Sequence, residues 1–201
     1  ASELEKLGVR YIIGGPTFKK DYNEEPRWQY GLPPAGNANY AWIQHMIYHL
    51  APNGKIGLVL ANGALSTQTG GEGEIRRKII EADLIEGIVA MPTQLFYSVT
   101  IPVTLWFISR NKKQSGKTLF IDARNMGHMV DRKHRDFSEE DINRLSQTFT
   151  DFQNGTLENQ KGFCAVVSTE EIAKQDYILT PGRYVGIEEK ANDDEPFDQK
   201  M

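Results

Sequence analysis

The order of hydrophobic and polar positions predicts strands and helices that alternate along the chain. Short apolar runs closed by Gly, Pro or Asn are typical of buried strands, whereas apolar residues spaced by three and four positions are typical of helices. The predicted strands are 9–13, 56–61, 84–91, 103–109, 118–122 and 163–168. The predicted helices are 40–50, 74–82, 138–152 and 169–174.

Two of these patterns predict how the strands are arranged. The run 56–61 is apolar throughout, which predicts a strand buried on both faces of a parallel sheet. A short link containing Ser115 and Gly116 joins the strands 103–109 and 118–122, which predicts an antiparallel hairpin. Together they favour an α/β fold of three layers with an antiparallel edge hairpin.

The turn after the first predicted strand is the first candidate site. The strand 9–13 ends at Gly14, Gly15 and Pro16, and Phe18 follows. Ligands of open α/β sheets bind at the carboxyl ends of the strands. The turn is therefore a candidate pocket floor with Phe18 as a stacking platform, and a purely structural turn is the alternative.

Composition and charge narrow the class of protein. The formal net charge of the 201 residues is −4, and the segment 186–201 has six acidic residues against two lysines, the same balance. We expect that segment to be a flexible tail and the neutral body to be a poor nucleic-acid binder alone. The single cysteine, Cys164, and the lack of a long apolar run favour a cytoplasmic protein without a membrane span. The start at Ala1, without Met or a signal-like stretch, favours an internal start.

Other motifs carry weaker signals. His45 and His49 share a helix face, but a zinc site needs at least a third ligand, so we expect no metal. The Gly-rich loop 69–74 is neither a dinucleotide fingerprint nor a P-loop, which argues against a nucleotide-dependent dehydrogenase. The basic clusters 76–78 and 132–135 fit either a phosphate contact or a solvated charged face.

Segments spread over nearly the whole body match one family's pattern in order. They are 30–34 (YGLPP), 39–42 (NYAW), 50–55 (LAPNGK), 71–76 (GEGEIR), 95–97 (LFY), 119–123 (LFIDA) and 176–179 (DYIL). As a set they resemble the modification subunit of type I restriction-modification systems. That resemblance implies an adenine-N6 DNA methyltransferase with a Rossmann-like class I fold.

The resemblance assigns roles to the turn after the first strand. The family has an Asn/Asp-Pro-Pro-aromatic tetrad, and the matching positions are Gly15, Pro16, Thr17 and Phe18. In the family, the first side chain and the next carbonyl accept hydrogen bonds from the adenine amino group, and the aromatic ring stacks on the flipped base. Pro16 and Phe18 can keep their roles, but Gly15 has no side chain to accept a hydrogen bond.

The resemblance also implies what lies outside the chain. The family binds S-adenosylmethionine upstream of the tetrad, so the chain looks like the C-terminal half of a subunit, inactive alone. Within it we expect residues 1–125 to belong to the catalytic domain, 126–185 to form an extension and 186–201 to form the tail. Expected partners are DNA, a specificity subunit and a restriction subunit. Candidate substrate or DNA contacts are Tyr40, Gly71, Gly73 and Arg76.

A second function stays open beside the fragment of a methyltransferase. Because Gly15 lacks the acceptor and the cofactor half is missing, the chain is alternatively an inactive assembly module. Such a module would dock a DNA-specificity subunit, with the extended segment 177–185 as a candidate docking strip.

Overall fold

The computed structural model describes residues 26–96 and 100–187. The predicted strand 9–13, the tetrad Gly15–Phe18 and nearly all of the predicted tail 186–201 therefore lie outside the described residues.

The predicted helices and strands within the described residues are confirmed, each to within two residues at its ends. The helices are α1 Asn39–His49, α2 Glu72–Glu81, α3 Glu139–Asn154 and α4 Thr169–Ala173. The strands are β1 Lys55–Ala61, β2 Ile85–Ala90, β3 Val103–Ser109, β4 Lys117–Asp122, β5 His128–Met129, β6 Arg135–Asp136 and β7 Cys164–Ser168. The sequence did not predict β5 and β6, which are too short to show a hydrophobic period.

Five strands form one mixed sheet in the order β1-β3-β2-β4-β7. Within the part of the sheet that the structure describes, only β2 and β4 pair in parallel, and the other three pairings are antiparallel. The predicted hairpin between β3 and β4 is wrong, because β2 lies between them. All residues of β2 are buried, and a buried strand needs hydrogen-bonding partners along both of its edges, which β3 and β4 supply.

The prediction for β1 is also wrong. In the described sheet β1 is an edge strand, antiparallel to β3, and only one of its faces is covered. Ile56, Leu58 and Leu60 pack into the core, whereas Val59 on the other face is 48% exposed. An apolar run indicates which side chains favour burial, but it does not specify whether a second layer is present to cover them.

The three predicted layers are present. One core cluster fills the space between the sheet and the helices α1, α2 and α4, and its largest buried side chain is Trp106. A second cluster lies on the opposite face, where Phe152 of α3 packs against β2 and β4. Neighbouring residues such as Ile88 and Val89 belong to different clusters, as the alternation of side chains along a strand requires.

α3 begins as its sequence predicts. The Ser138 hydroxyl accepts a hydrogen bond from the Asp141 N–H, and the Asp141 carboxylate accepts one from the Ser138 N–H, which makes a capping box. The helix ends at Gly155, which adopts a left-handed conformation with φ 74°.

Asp83 ties the start of β2 to the link between β3 and β4. Its carboxylate forms an ion pair with Lys112 and accepts hydrogen bonds from the Ser115 hydroxyl and the Gly116 N–H. Partial burial opposes ionisation, but the hydrogen bonds from Lys112, Gly116 and Ser115 outweigh it and hold the pKa of Asp83 below its ordinary value. The ionised carboxylate is therefore the form that stabilises the fold.

Replacing Asp83 by Asn is expected to lower the free energy of unfolding by about 1–2 kcal/mol at neutral pH. A carboxylate with a depressed folded pKa stabilises the fold above its unfolded pKa of about 4, and that contribution is lost as the pH falls through the folded value. The difference between wild type and variant in urea unfolding must therefore shrink below pH 4. Glu140→Gln on exposed α3 is the control, and an equal loss in both variants would contradict the assignment.

Candidate functional site at the carboxyl edge of the sheet

The candidate site is the end of the sheet at which β1, β2 and β4 terminate, which we call the carboxyl edge. Both β1 and β2 are antiparallel to β3, and β2 is parallel to β4, so these three strands run in the same direction. The segments that follow them, 62–71, 91–102 and 123–138, therefore begin at one edge. In open α/β sheets this edge is where ligands bind.

A buried arginine holds the segment after β1. Arg76 on α2 is 1% exposed, its Nε donates to the Tyr177 carbonyl at 2.8 Å, and its Nη1 donates to the Thr67 carbonyl at 2.7 Å. The guanidinium thus joins the segment 62–71 to the C-terminal segment. The sequence placed Arg76 among the DNA-facing residues, but its side chain lies in the interior because these carbonyls need a buried donor.

A buried carboxylate holds the same segment from the first turn of α2. Glu72 is 1% exposed and accepts hydrogen bonds from the Thr67 hydroxyl at 2.9 Å and the Asn37 side-chain amide at 3.4 Å. Glu72 Oε1 and Arg76 Nη2 are buried without a hydrogen-bond partner among the described residues. We call Glu72, Arg76 and Thr67 the buried latch.

Tyr40 also holds the segment that follows β1. It is fully buried, its hydroxyl donates to the Ala64 carbonyl at 2.7 Å, and its ring lies edge-to-face on Trp106 at 6.4 Å. Burial raises the pKa of Tyr40 to about 12, although the charge of Arg76 opposes the shift. The described contacts give Tyr40 a place in the core, and a contact with substrate stays a prediction.

The two candidate glycines flank the start of α2 and differ in exposure. Gly71 is exposed and left-handed, with φ 85°. Gly73 is buried, and a Cβ there would lie 1.7 Å from Gln68 Oε1, so any larger residue must displace the Gln68 side chain. The structure thus brings Tyr40, Gly71, Gly73 and Arg76 together around one segment of the edge, but only Gly71 faces solvent.

The segments after β2 and β4 are joined at the same edge. The Arg135 N–H of β6 donates to the Gln94 carbonyl at 2.9 Å. Exposed apolar side chains mark both segments, with Phe96 43% and Val130 63% exposed. This hairpin was not predicted from the sequence, in which the basic cluster 132–135 is the one feature that marks it.

The other candidates have local partners. His49 Nδ1 lies 2.8 Å from the His45 carbonyl, and within residues 26–96 and 100–187 no group of His, Cys, Asp and Glu is arranged to hold a metal. Arg77 pairs with Glu74 and Glu81 along α2, which makes its portion of the cluster 76–78 a solvated charged face. No helix of the described chain is long and apolar enough to cross a membrane.

Comparisons with known proteins agree on one family. The family model described as N-6 DNA Methylase matches residues 3–193. The HindI methylase subunit of a type I restriction enzyme from Haemophilus influenzae is 52% identical over 95% of this chain and 45% of its own length. The MjaIX methylase subunit from Methanocaldococcus jannaschii is 47% identical over 95% of this chain and 37% of its own length.

Solved structures share the fold. The type I methyltransferase subunit from Streptococcus thermophilus has a TM-score of 0.73 and 27% identity, over 82% of this chain and 34% of that one. A chain from a study of type I complex assembly has a TM-score of 0.61 at 19% identity, which shows the fold alone. The chain spans less than half the length of these curated relatives. By the family match over most of its residues, the chain belongs to the N-6 DNA methylase family.

Proposed function

We propose that this chain is the target-base portion of an adenine-N6 DNA methyltransferase of the type I restriction-modification kind. The observation that carries the proposal is the 52% identity with a type I methylase subunit over 95% of the chain. In this proposal residues 1–125 belong to the catalytic domain, 126–185 form its extension and 186–201 its tail. DNA, a specificity subunit and a restriction subunit are the proposed partners.

The tetrad positions carry the proposed chemistry. The Pro16 carbonyl accepts a hydrogen bond from the adenine amino group, and the Phe18 ring stacks on the base after it leaves the duplex. Gly15 cannot supply the second acceptor. Losing one positioned polar group from an active site typically costs about 10²–10³ in rate, so the chain's own tetrad is expected to be slow even in a complete enzyme.

The proposed cofactor, S-adenosylmethionine, does not fit the residues described. The carboxylate at the Gly-rich segment that could bind a ribose hydroxyl, Glu72, is 1% exposed, with Oε2 bonded to Thr67 and Asn37 and Oε1 buried away from solvent. β1 is an edge strand of the described sheet, which supports a sheet that continues in the upstream half of the proposed enzyme.

The test is a calorimetric titration of S-adenosylmethionine into two proteins. One is the isolated chain, and the other is a chimera that joins it to the upstream half of the Haemophilus influenzae relative. We expect no micromolar binding by the isolated chain and micromolar binding by the chimera. Micromolar binding by the isolated chain would overturn the proposal, as would its absence from a folded chimera whose parent subunit binds.

The assembly module remains the second candidate, because Gly15 removes the acceptor. Its proposed docking strip needs correction, since 177–185 is packed on the chain's own body. Leu179 is fully buried and Val185 is 4% exposed, while the Tyr184 ring stacks on Phe120 with centroids 4.2 Å apart. A docking function of this segment would therefore have to use its exposed residues, such as Gly182 and Arg183, rather than the buried ones.

A further inference from the structure

The hairpin formed by β5 and β6 has no role in the proposed chemistry of the tetrad. His128 pairs with Asp136 and Met129 with Arg135, so the turn 130–134 forms the tip. The hairpin follows β4 and therefore begins at the edge to which the candidate site belongs. We call residues 128–136 the edge hairpin.

Hydrogen bonds from Arg135 fix the base of the edge hairpin. Arg135 Nη1 donates to the carbonyls of Met126 and Gly127 at 3.0 and 3.1 Å, and the Arg135 N–H bonds to the Gln94 carbonyl. Gly127 has φ +76°, and a Cβ there would lie 2.7 Å from the Asp136 carbonyl oxygen. The guanidinium of Arg135 thus fixes the base of the hairpin, and the Arg135 N–H joins the hairpin to the segment after β2.

The tip is also ordered by its own carboxylate. Asp131 accepts hydrogen bonds from the N–H groups of Lys133 and His134 at 2.7 and 2.9 Å, and its second oxygen lies 2.6 Å from His134 Nδ1. The Val130 N–H bonds to the His134 carbonyl at 2.9 Å. Both oxygens of the Asp131 carboxylate are therefore bonded within the turn, one to backbone N–H groups and one to the His134 ring.

Two cations of the tip, Arg132 and Lys133, have no ion pair among the described residues, and both residues are exposed. Beside them Met129 is 41% and Val130 63% exposed. Two neighbouring cations on an exposed turn suit a phosphate backbone, because cations neutralise phosphates and release their counterions. A tip that is already ordered loses little entropy when it binds.

We infer that the edge hairpin is a DNA-backbone contact in which Arg132 and Lys133 bind phosphates at the carboxyl edge of the sheet. This inference rests on the proposed function, because that function makes DNA the substrate of the complete enzyme. The contact is independent of base sequence, since phosphate contacts carry orientation and affinity rather than specificity.

The test is duplex-DNA binding by the 201-residue chain, measured by fluorescence anisotropy over a series of salt concentrations without cofactor. The tip variant carries Arg132→Gln and Lys133→Gln. The control variant carries Lys113→Gln and Lys117→Gln, which make the same charge change in the link and at the start of β4, at the opposite edge. We expect the tip variant to lose about tenfold in affinity at low salt and about two units of the salt slope, while the control keeps both.

Each other outcome overturns the inference. Equal losses in both variants, or none in either, would show that the tip does not contact phosphates. A tip variant that loses binding to polyglutamate as strongly as to DNA would point to an acidic protein partner instead. A chain that binds no duplex would also refute the contact, whereas cofactor binding by the chimera would still support the proposed function.

Discussion

Replacing Arg76 by Ala is expected to lower the free energy of unfolding by about 3–5 kcal/mol, the largest stability loss we predict for a charged residue. The guanidinium is 1% exposed and donates to two carbonyls that are far apart in sequence, those of Thr67 and Tyr177. Alanine leaves both hydrogen bonds unmade, creates a cavity and leaves Glu72 buried beside it without the nearby positive charge.

The neighbouring arginine provides a matched control. Arg77 lies one position further along α2, but its side chain is 39% exposed and pairs with Glu74 and Glu81 on the surface. Surface pairs of this kind contribute about 0–1 kcal/mol, so Arg77→Ala is expected to change stability little. Arg76→Lys is expected to fall between them, because an ammonium does not reproduce the planar donor pair. Urea unfolding followed by tryptophan fluorescence measures all three, and equal losses for Arg76→Ala and Arg77→Ala would contradict the buried latch.

Replacing Gly15 by Asn in the chimera with the Haemophilus influenzae upstream half is expected to raise the methylation rate by about 10²–10³. The amide oxygen of Asn restores an acceptor for the adenine amino group, which gains positive character as the methyl group is transferred. The expected gain corresponds to about 3–4 kcal/mol of transition-state stabilisation. Single-turnover transfer of labelled methyl groups to a duplex measures it directly.

The adjacent position supplies the control for this experiment. Thr17→Pro brings the tetrad closer to the family's pattern but adds no acceptor, so it is expected to leave the rate nearly unchanged. If Gly15→Asn fails to raise the rate while cofactor and DNA still bind, the assembly module is favoured over the damaged active site. Co-purification of the unaltered chimera with a specificity subunit then becomes the direct test of that alternative.

The candidate site was only partly predictable from the sequence. The motif GEGEIR at 71–76 coincides with the part of α2 that holds the segment after β1 through Glu72 and Arg76. The burial of Arg76 was not predictable in the same way. Next to Arg77 and Lys78 it looks like part of a charged surface, and only the packing shows which side of α2 is buried. The carbonyls that bind Arg76 come from residues 67 and 177, and no local pattern connects them.

The sequence by itself determined the elements: hydrophobic periods, caps such as Ser138 and turn glycines specify helices and strands locally, because each depends on residues only a few positions apart. Only the tertiary structure decided the order of the strands, the bare face of β1 and the burial of Arg76 and Tyr40. These depend on which distant segments compete for the same hydrogen-bonding edges and the same buried surface. β2 is the clearest case, since its need for two partners places β3 and β4 on opposite sides although they are joined by a short link.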